Sequence, residues 1–181
     1  DDTFFICGMG RQVYRLDERW SRMSDGMDLV PARVAIESLA ATSHNDMFAS
    51  GWNGYILHYN GTQWRPEPRL VDFIVNDVCH DGDGTLYGCG RLGLLFEKGK
   101  FGWRQLQQNT LKKEIKRLAW WNDQLFAQTA DAVYGVESRA SSTGEEVYWM
   151  RQSSPSEWES TFFDLKVVDD SLWAIGKRTI C

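Results

Sequence analysis

Residues 47–64, MFASGWNGYILHYNGTQW, hold two short apolar runs joined by a glycine-flanked turn, then a second turn that ends on Trp64. Near-copies of this stretch recur along the chain. A recurring unit constrains the fold more tightly than any single motif, because one repeat cannot bury its apolar face alone and must stack on its neighbours.

The unit reads as a strand over 47–50 closed by Gly51, the tip Trp52-Asn53-Gly54, a second strand over 55–59, and the turn Asn60-Gly61 before Trp64. Asn-Gly between alternating apolar residues marks a hairpin, because tight primed turns need positive φ and these residues tolerate it. Upstream, residues 4–7 with Gly8, residues 13–16 and Trp20 fill the same columns; downstream, 86–89 with Gly90, 94–96, Gly99 and Trp103 do so. A further copy is degenerate, with 125–128, Thr129 in the glycine column, 132–136, and a polar excursion over 138–146 before Tyr148 and Trp149. Another begins at 172–176 and runs to Cys181. One more apolar segment precedes these copies, at 34–42, 73–79, 115–121 and 162–168, each ending in an acidic or Gly-rich turn.

Locally joined strands of this kind make an antiparallel meander, and self-similarity at roughly 40 to 45 residues with four strands per unit is the signature of a β-propeller blade. The predicted fold is therefore all-β, a propeller or propeller segment in one domain. Its units lie near 1–23, 34–67, 73–106, 114–151 and 162–181, the first and last partial. Within a unit the segment before the acidic turn is the innermost strand A, and the Trp-initiated segment is the outermost strand D.

These columns (apolar-apolar-Ala-x-Gly-x-x-Gly, a second apolar run, then Asn-Gly and Trp) resemble the blades of bacterial propellers related to the photosystem assembly factor and sialidase-like, BNR-type repeat groups. The resemblance covers nearly the whole chain and implies a fold. The sialidase Asp-box, Ser-x-Asp-x-Gly-x-Thr-Trp, is absent; residues 81–85, Asp-Gly-Asp-Gly-Thr, come nearest and lack its Ser and Trp. No Trp-Asp pair closes a blade as in WD40 repeats. Propellers serve unrelated functions, so function has to be argued from the residues.

Composition narrows the classes. A net charge of −5 argues against a nucleic-acid binder that neutralises phosphates. No run of 18 apolar residues is present to span a membrane. Of the nine Trp, Trp20, Trp64 and Trp103 share one repeat column, which predicts blade-to-blade packing. The four Cys follow the repeat instead of a disulfide framework: Cys7 and Cys89 share a column, and Cys79 and Cys181 fall in others. That pattern predicts buried thiols and a cytoplasmic, reducing location. The chain opens on a strand B and breaks off in what would be a strand C, so three arrangements stay open. It is a segment of a longer propeller, an arc that pairs with a second copy as a homodimer, or a small closed ring.

In a propeller the B–C turns and D–A loops share one face. The B–C turns contribute Met9, Arg11, Trp52, Asn53, Arg91, Leu92, Asp131, Lys177 and Arg178, and the D–A loops span 24–33, 66–71, 108–113 and 153–160. Trp52, set where its turn predicts exposure, is singled out with Asn53, Arg11, Arg91, Lys177 and Arg178 as the binding set, because exposed Trp beside Arg is hot-spot composition. Lys112, Lys113, Lys116 and Arg117 form the densest basic cluster, and Leu111, Ile115 and Leu118 at helical spacing admit a local helix there, although the repeat puts a strand from about Ile115.

Catalytic and metal constellations do not assemble. Cys79 and His80 are adjacent on a strand and point to opposite faces, so they cannot form a dyad. His58 shares a column with Arg15 and Glu97, which marks a solvent-facing position, and the default for His44 is a turn role. Three scattered His and no C-x-x-C spacing give no zinc signature. The reading is a non-catalytic protein-binding scaffold with no cofactor and no metal, using the B–C and D–A face, in one version a bacterial inhibitor of the immunity type. The alternative is a carbohydrate-binding or carbohydrate-cleaving propeller, with Trp52 stacked on a sugar and Asp28, Glu67 or Glu157 acting on it.

Overall fold

The computed structural model describes residues 3–108, 111–140, 146–154 and 161–176. Strands β1 (Phe4–Gly8), β2 (Gln12–Leu16) and β3 (Trp20–Arg22) form a three-stranded antiparallel meander. Three four-stranded sheets follow, each with its strands in chain order. They are β4 (Ile36–Ser43), β5 (Asp46–Gly51), β6 (Ile56–Tyr59) and β7 (Trp64–Pro66); β8 (Val75–His80), β9 (Leu86–Gly90), β10 (Leu95–Gly99) and β11 (Gly102–Gln105); and β12 (Arg117–Trp121), β13 (Gln124–Gln128), β14 (Val133–Ala140) and β15 (Glu146–Gln152). The hairpin β16 (Phe162–Val168) and β17 (Ser171–Gly176) completes the described strands. The chain divides into two compact units, residues 1–78 and 79–181.

The strand assignments follow the repeat with two corrections. No helix forms over 111–118: the segment is irregular until β12 begins at Arg117, because Leu111, Ile115 and Leu118 are all buried in a sheet-packing core rather than along a helical stripe. The excursion expected over 138–146 is in part strand, since β14 and β15 stay paired out to Ala140 and Glu146.

Burial explains why strand B is so apolar. Met47, Phe48, Ala49 and Ser50 of β5 are buried on both faces, as are Leu125, Phe126, Ala127 and Gln128 of β13, whereas β3 is exposed throughout. An inner strand covered on both sides loses the polar alternation that a one-sided sheet would show. In the first unit Trp64, Met47, Leu57 and Val13 meet Met27, Val30 and Val34 in one core. Burying side chains of this size stabilises a fold by about 1.5–3 kcal/mol each. In the second unit Leu95, Leu118, Leu125 and Met150 belong to one core, and Phe126, Phe162 and Leu165 to another.

Polar bonds repeat with the blades. Ser38 on β4 donates to the buried Asp77 carboxylate on β8, which also accepts from the Val78 amide. In the second unit Arg117 on β12 donates to Asp164 on β16 at 3.2 Å, and Asp164 likewise accepts from the next amide, Leu165. Each pair couples one strand A to a neighbouring strand A, and the acceptors Asp77 and Asp164 are both the third residue of their strand. The Trp column does not repeat so evenly. Trp64 is fully buried, Trp103 is half-buried edge-on to Phe96, and Trp20 is 49% exposed.

Candidate functional site

The B–C turns share one backbone. Turn 51–54 has Gly51 extended, Asn53 at φ 59°, ψ 29° and Gly54 at φ 73°. Turn 90–93 has Gly90 extended, Leu92 at φ 57°, ψ 30° and Gly93 at φ 72°. Glycine is required at the last position, since a Cβ at Gly54 would lie 1.8 Å from the Val71 carbonyl oxygen, and one at Gly93 would lie 2.0 Å from that of Leu111. The turn therefore seats the D–A loop that leads to the next blade. Backbone bonds repeat the seating: the Arg11 amide donates to Val34, Ile115 to Gly90 and Phe162 to Ala130.

In the first unit Arg11 and Trp52 are drawn into this scaffold. Arg11 takes left-handed φ 60° where turns 51–54 and 90–93 carry glycine, and its guanidinium donates to the carbonyls of Met27 and Val30, each at 2.7 Å. It clamps the short helical turn Met27–Leu29 of the loop it faces. Trp52 is half-buried against the core, not the exposed tip that its turn suggested, and its indole N–H donates to Glu37 at 2.6 Å. Asn53 is exposed, and its carbonyl accepts from Arg69, whose guanidinium lies 5.1 Å from the Tyr55 ring centroid. Glu67 lies 3.9 Å from His58, and Asp28 is exposed.

In the second unit the same turn keeps its tip in solvent. Arg91 is exposed, and Leu92 is 77% exposed. Gln108 takes the part that Arg11 plays: its amide donates to the carbonyls of Gly93 at 2.8 Å and Leu111 at 2.6 Å, and its oxygen accepts from the Leu111 amide. Lys113 reaches Asp131 on the following turn, where Thr129 replaces the glycine and caps Asp131 and Ala132 with its hydroxyl. The bonds from Lys113 and Thr129 hold the Asp131 carboxyl below its ordinary pKa. Lys177, Arg178 and Glu157 lie outside the described residues.

Several other titratable side chains are engaged within their own blades. His58 is half-buried, not solvent-facing, stacked 4.3 Å from Phe48 and bonded to Asp46 at 2.6 Å; Glu97 pairs with Arg104 at 2.6 Å. His80 accepts from the Gly82 amide, which spends its Nδ1 on turn geometry. Asp81 folds its own loop by accepting from the amides of Asp83 and Thr85. Burial pushes the Asp81 pKa up, but the Thr85, Asp83 and Gly84 bonds outweigh it and leave a net depression. Tyr87, stacked 5.7 Å from Trp120, is pushed up to about 12 by burial and then by the carboxylates of Asp81 and Glu97. Cys7, Cys79 and Cys89 are not in disulfides, and only Cys89 is fully buried; Cys7 and Cys79 are half-buried. Among the described residues, no group of three His, Cys, Asp or Glu is placed to hold a metal ion, and no helix is long and apolar enough to cross a membrane.

Sequence reasoning placed Gln108 and Arg69 in the D–A loops without a role and passed over Glu37, although all three hold the turns. None carries a motif, because their targets are backbone carbonyls or a single indole N–H brought near only by folding.

Antiparallel four-stranded blades in sequence order, joined by turns that seat the next loop, define a β-propeller fold. Solved propellers match it. YCF48 bound to D1 peptide superimposes with a TM-score of 0.64 at 14% identity, over 96% of this chain and 58% of that one. The WD40 propeller domain of Doa1 gives 0.52 at 12% identity, over 94% of this chain and 66% of that one. By sequence, the chain is 30% identical over 185 residues to the immune protein Tsi7 of Pseudomonas aeruginosa PAO1, covering 99% of this chain and 58% of Tsi7. It thus spans a little over half the length of that relative. No protein-family model matches the chain.

Proposed function

We propose that this chain belongs to a non-catalytic, protein-binding propeller of the immunity type, which recognises a protein toxin and blocks it by covering its surface. The observation that carries this reading is the 30% identity to an immune protein, sustained over 99% of the chain rather than confined to one blade. Fold alone would not support it, because propellers host unrelated functions. His58, Asp46, Asp81 and Glu97 are engaged within their own blades, and the exposed turn tips at Asn53, Arg91 and Leu92 offer a surface that suits recognition. A propeller of this fold also receives a polypeptide, in YCF48 with its D1 peptide.

On this reading the B–C turns and D–A loops form the recognition surface in each unit, with Trp52 and Asn53 in the first and Arg91 in the second. Arg11 acts indirectly, by setting the shape of the 27–30 loop. The site of action is the cytoplasm, where unbridged thiols persist.

The test is capture followed by protection. The tagged chain is used to capture proteins from the organism that encodes it, and each captured protein is expressed alone and with the chain in a bacterial host. A captured protein should arrest growth alone and lose that effect beside the chain. Captured proteins that are harmless alone, or toxic with and without the chain, would reject the immunity reading.

A further inference from the structure

We infer that the tip of turn 90–93 is a prebuilt anchor: Leu92 enters an apolar pocket on the partner protein, and carboxylates at that pocket's rim meet Arg91 and Lys112. The inference rests on the protein-binding reading above and specifies the chemistry of the partner's surface.

A single exposed leucine needs no explanation. Leu92 differs because its backbone is also unsuited to it. It sits at φ 57°, ψ 30°, in the left-handed region that a γ-branched apolar side chain gains nothing by occupying. The fold does not ask for leucine here, since Asn53 holds the same position in turn 51–54 at φ 59°, and Gly10 holds it in turn 8–11 at φ 68°. Leu92 thus accepts backbone strain and leaves its side chain 77% exposed. A strained residue with an unburied apolar group has its use outside the chain.

Rigidity is the second observation. Gln108 ties Gly93 to Leu111 with three hydrogen bonds, the Ile115 amide bonds to Gly90, and Leu111 and Ile115 are themselves core residues. The tip and the 111–115 loop beside it therefore form one preorganised piece, so a partner would not have to order it on binding.

Charge supplies the third. Arg91 and Lys112 are both exposed, and among the described residues neither side chain has a hydrogen-bond or ion-pair partner. Lys113, next to them, is instead committed to Asp131. Two uncommitted cations, one next to Leu92 in the turn and one on the loop that Gly93 contacts, complement a carboxylate-rimmed apolar pocket, in a chain of net charge −5. They do not make the extended cationic track that a phosphate backbone needs.

A phage-displayed library of random peptides, selected on the immobilised chain, tests this without a known toxin. Selected peptides should pair apolar residues with Asp or Glu and weaken as salt rises. They should lose about tenfold in affinity for Leu92→Asn, and about as much for Arg91→Glu with Lys112→Glu. Leu92→Asn should melt no lower than wild type, because Asn suits the left-handed backbone, so lost binding cannot be assigned to unfolding. Peptides without acidic residues, or bound equally by the variants, would overturn the anchor. If the chain protects against a toxin and Leu92→Asn protects equally well, the anchor fails while the immunity reading stands. If acidic-apolar peptides need Leu92 but no toxin is neutralised, the immunity reading fails while the anchor stands.

Discussion

Turns 51–54 and 90–93 agree within a few degrees at their left-handed positions, Asn53 with Leu92 and Gly54 with Gly93, yet their tip side chains are used differently. In the first unit Trp52 is packed on the core and bonded to Glu37, and Asn53 accepts from Arg69. In the second, Arg91 and Leu92 stand in solvent. What the fold needs from the turn is its glycines and its carbonyl contacts, and those are met in both. The two tip positions are left free to serve either the blade or a partner, so a repeat can diverge in function without any change in its frame.

The largest effect should come from the shared part. Gly54→Ala and Gly93→Ala each place a Cβ at about 2 Å from a carbonyl oxygen of the following loop, at positive φ. Each should cost on the order of 3 kcal/mol in urea unfolding or prevent folding outright. A tolerated alanine at only one of the two would mean that the turns are not equivalent after all.

The loop clamps come next. Arg11→Ala removes two bonds to the 27–30 loop and Gln108→Ala removes three around Gly93 and Leu111. Stranded carbonyls and a stranded amide should lower stability by about 2 kcal/mol in each case. If chemical denaturation shows no loss for Gln108→Ala, the 111–115 loop is held by its core residues alone.

Smaller again is Trp52→Ala, which gives up half-buried area and the bond to Glu37 and should cost about 1–2 kcal/mol by thermal melting. This is the direct break of the comparison with Leu92→Asn, whose stability cost should be nil. Equal costs at the two tips would show that Leu92 also supports its blade.

The smallest effect sharpens a contrast one column away. Phe48 stacks on His58 within its own blade, whereas Tyr87, in the same column, stacks on Trp120 of the following one. Folding raises the Tyr87 pKa from 10.0 to about 12, so folding favours its neutral phenol. The stabilisation is therefore fully present below pH 10 and is lost as pH rises through about 12. Tyr87→Phe should flatten this alkaline loss, seen by circular dichroism across that window, and an unchanged alkaline limb would show that Tyr87 does not drive it.

Much of the fold was legible because a repeat states its own rules several times. Gly51, Gly54, Gly90 and Gly93 marked the turns, and the Asn-Asp and Asp-Asp pairs before β13 and β17 marked the A–B turns, where Asn122, Asp123, Asp169 and Asp170 all adopt positive φ. The degenerate blade was harder, since Thr129 builds by side-chain capping the turn that glycine builds elsewhere. The candidate site was legible only as a set of positions. Trp52 and Arg91 share a column, and nothing in their identities shows that one indole finds Glu37 while the other tip finds no partner among the described residues.

The sequence by itself determined the strand order, the blade period and where the turns fall, because φ tolerance and apolar alternation are local properties that each residue carries with it. Tertiary structure alone decided which polar groups are spent inside the molecule. Arg11 becomes a clamp, Trp52 a packed residue and Leu92 an exposed one according to which carbonyls, carboxylates and core side chains the neighbouring loop brings within reach. Those partners lie 15 to 19 residues away for Trp52 and Arg11, so no local pattern can announce them.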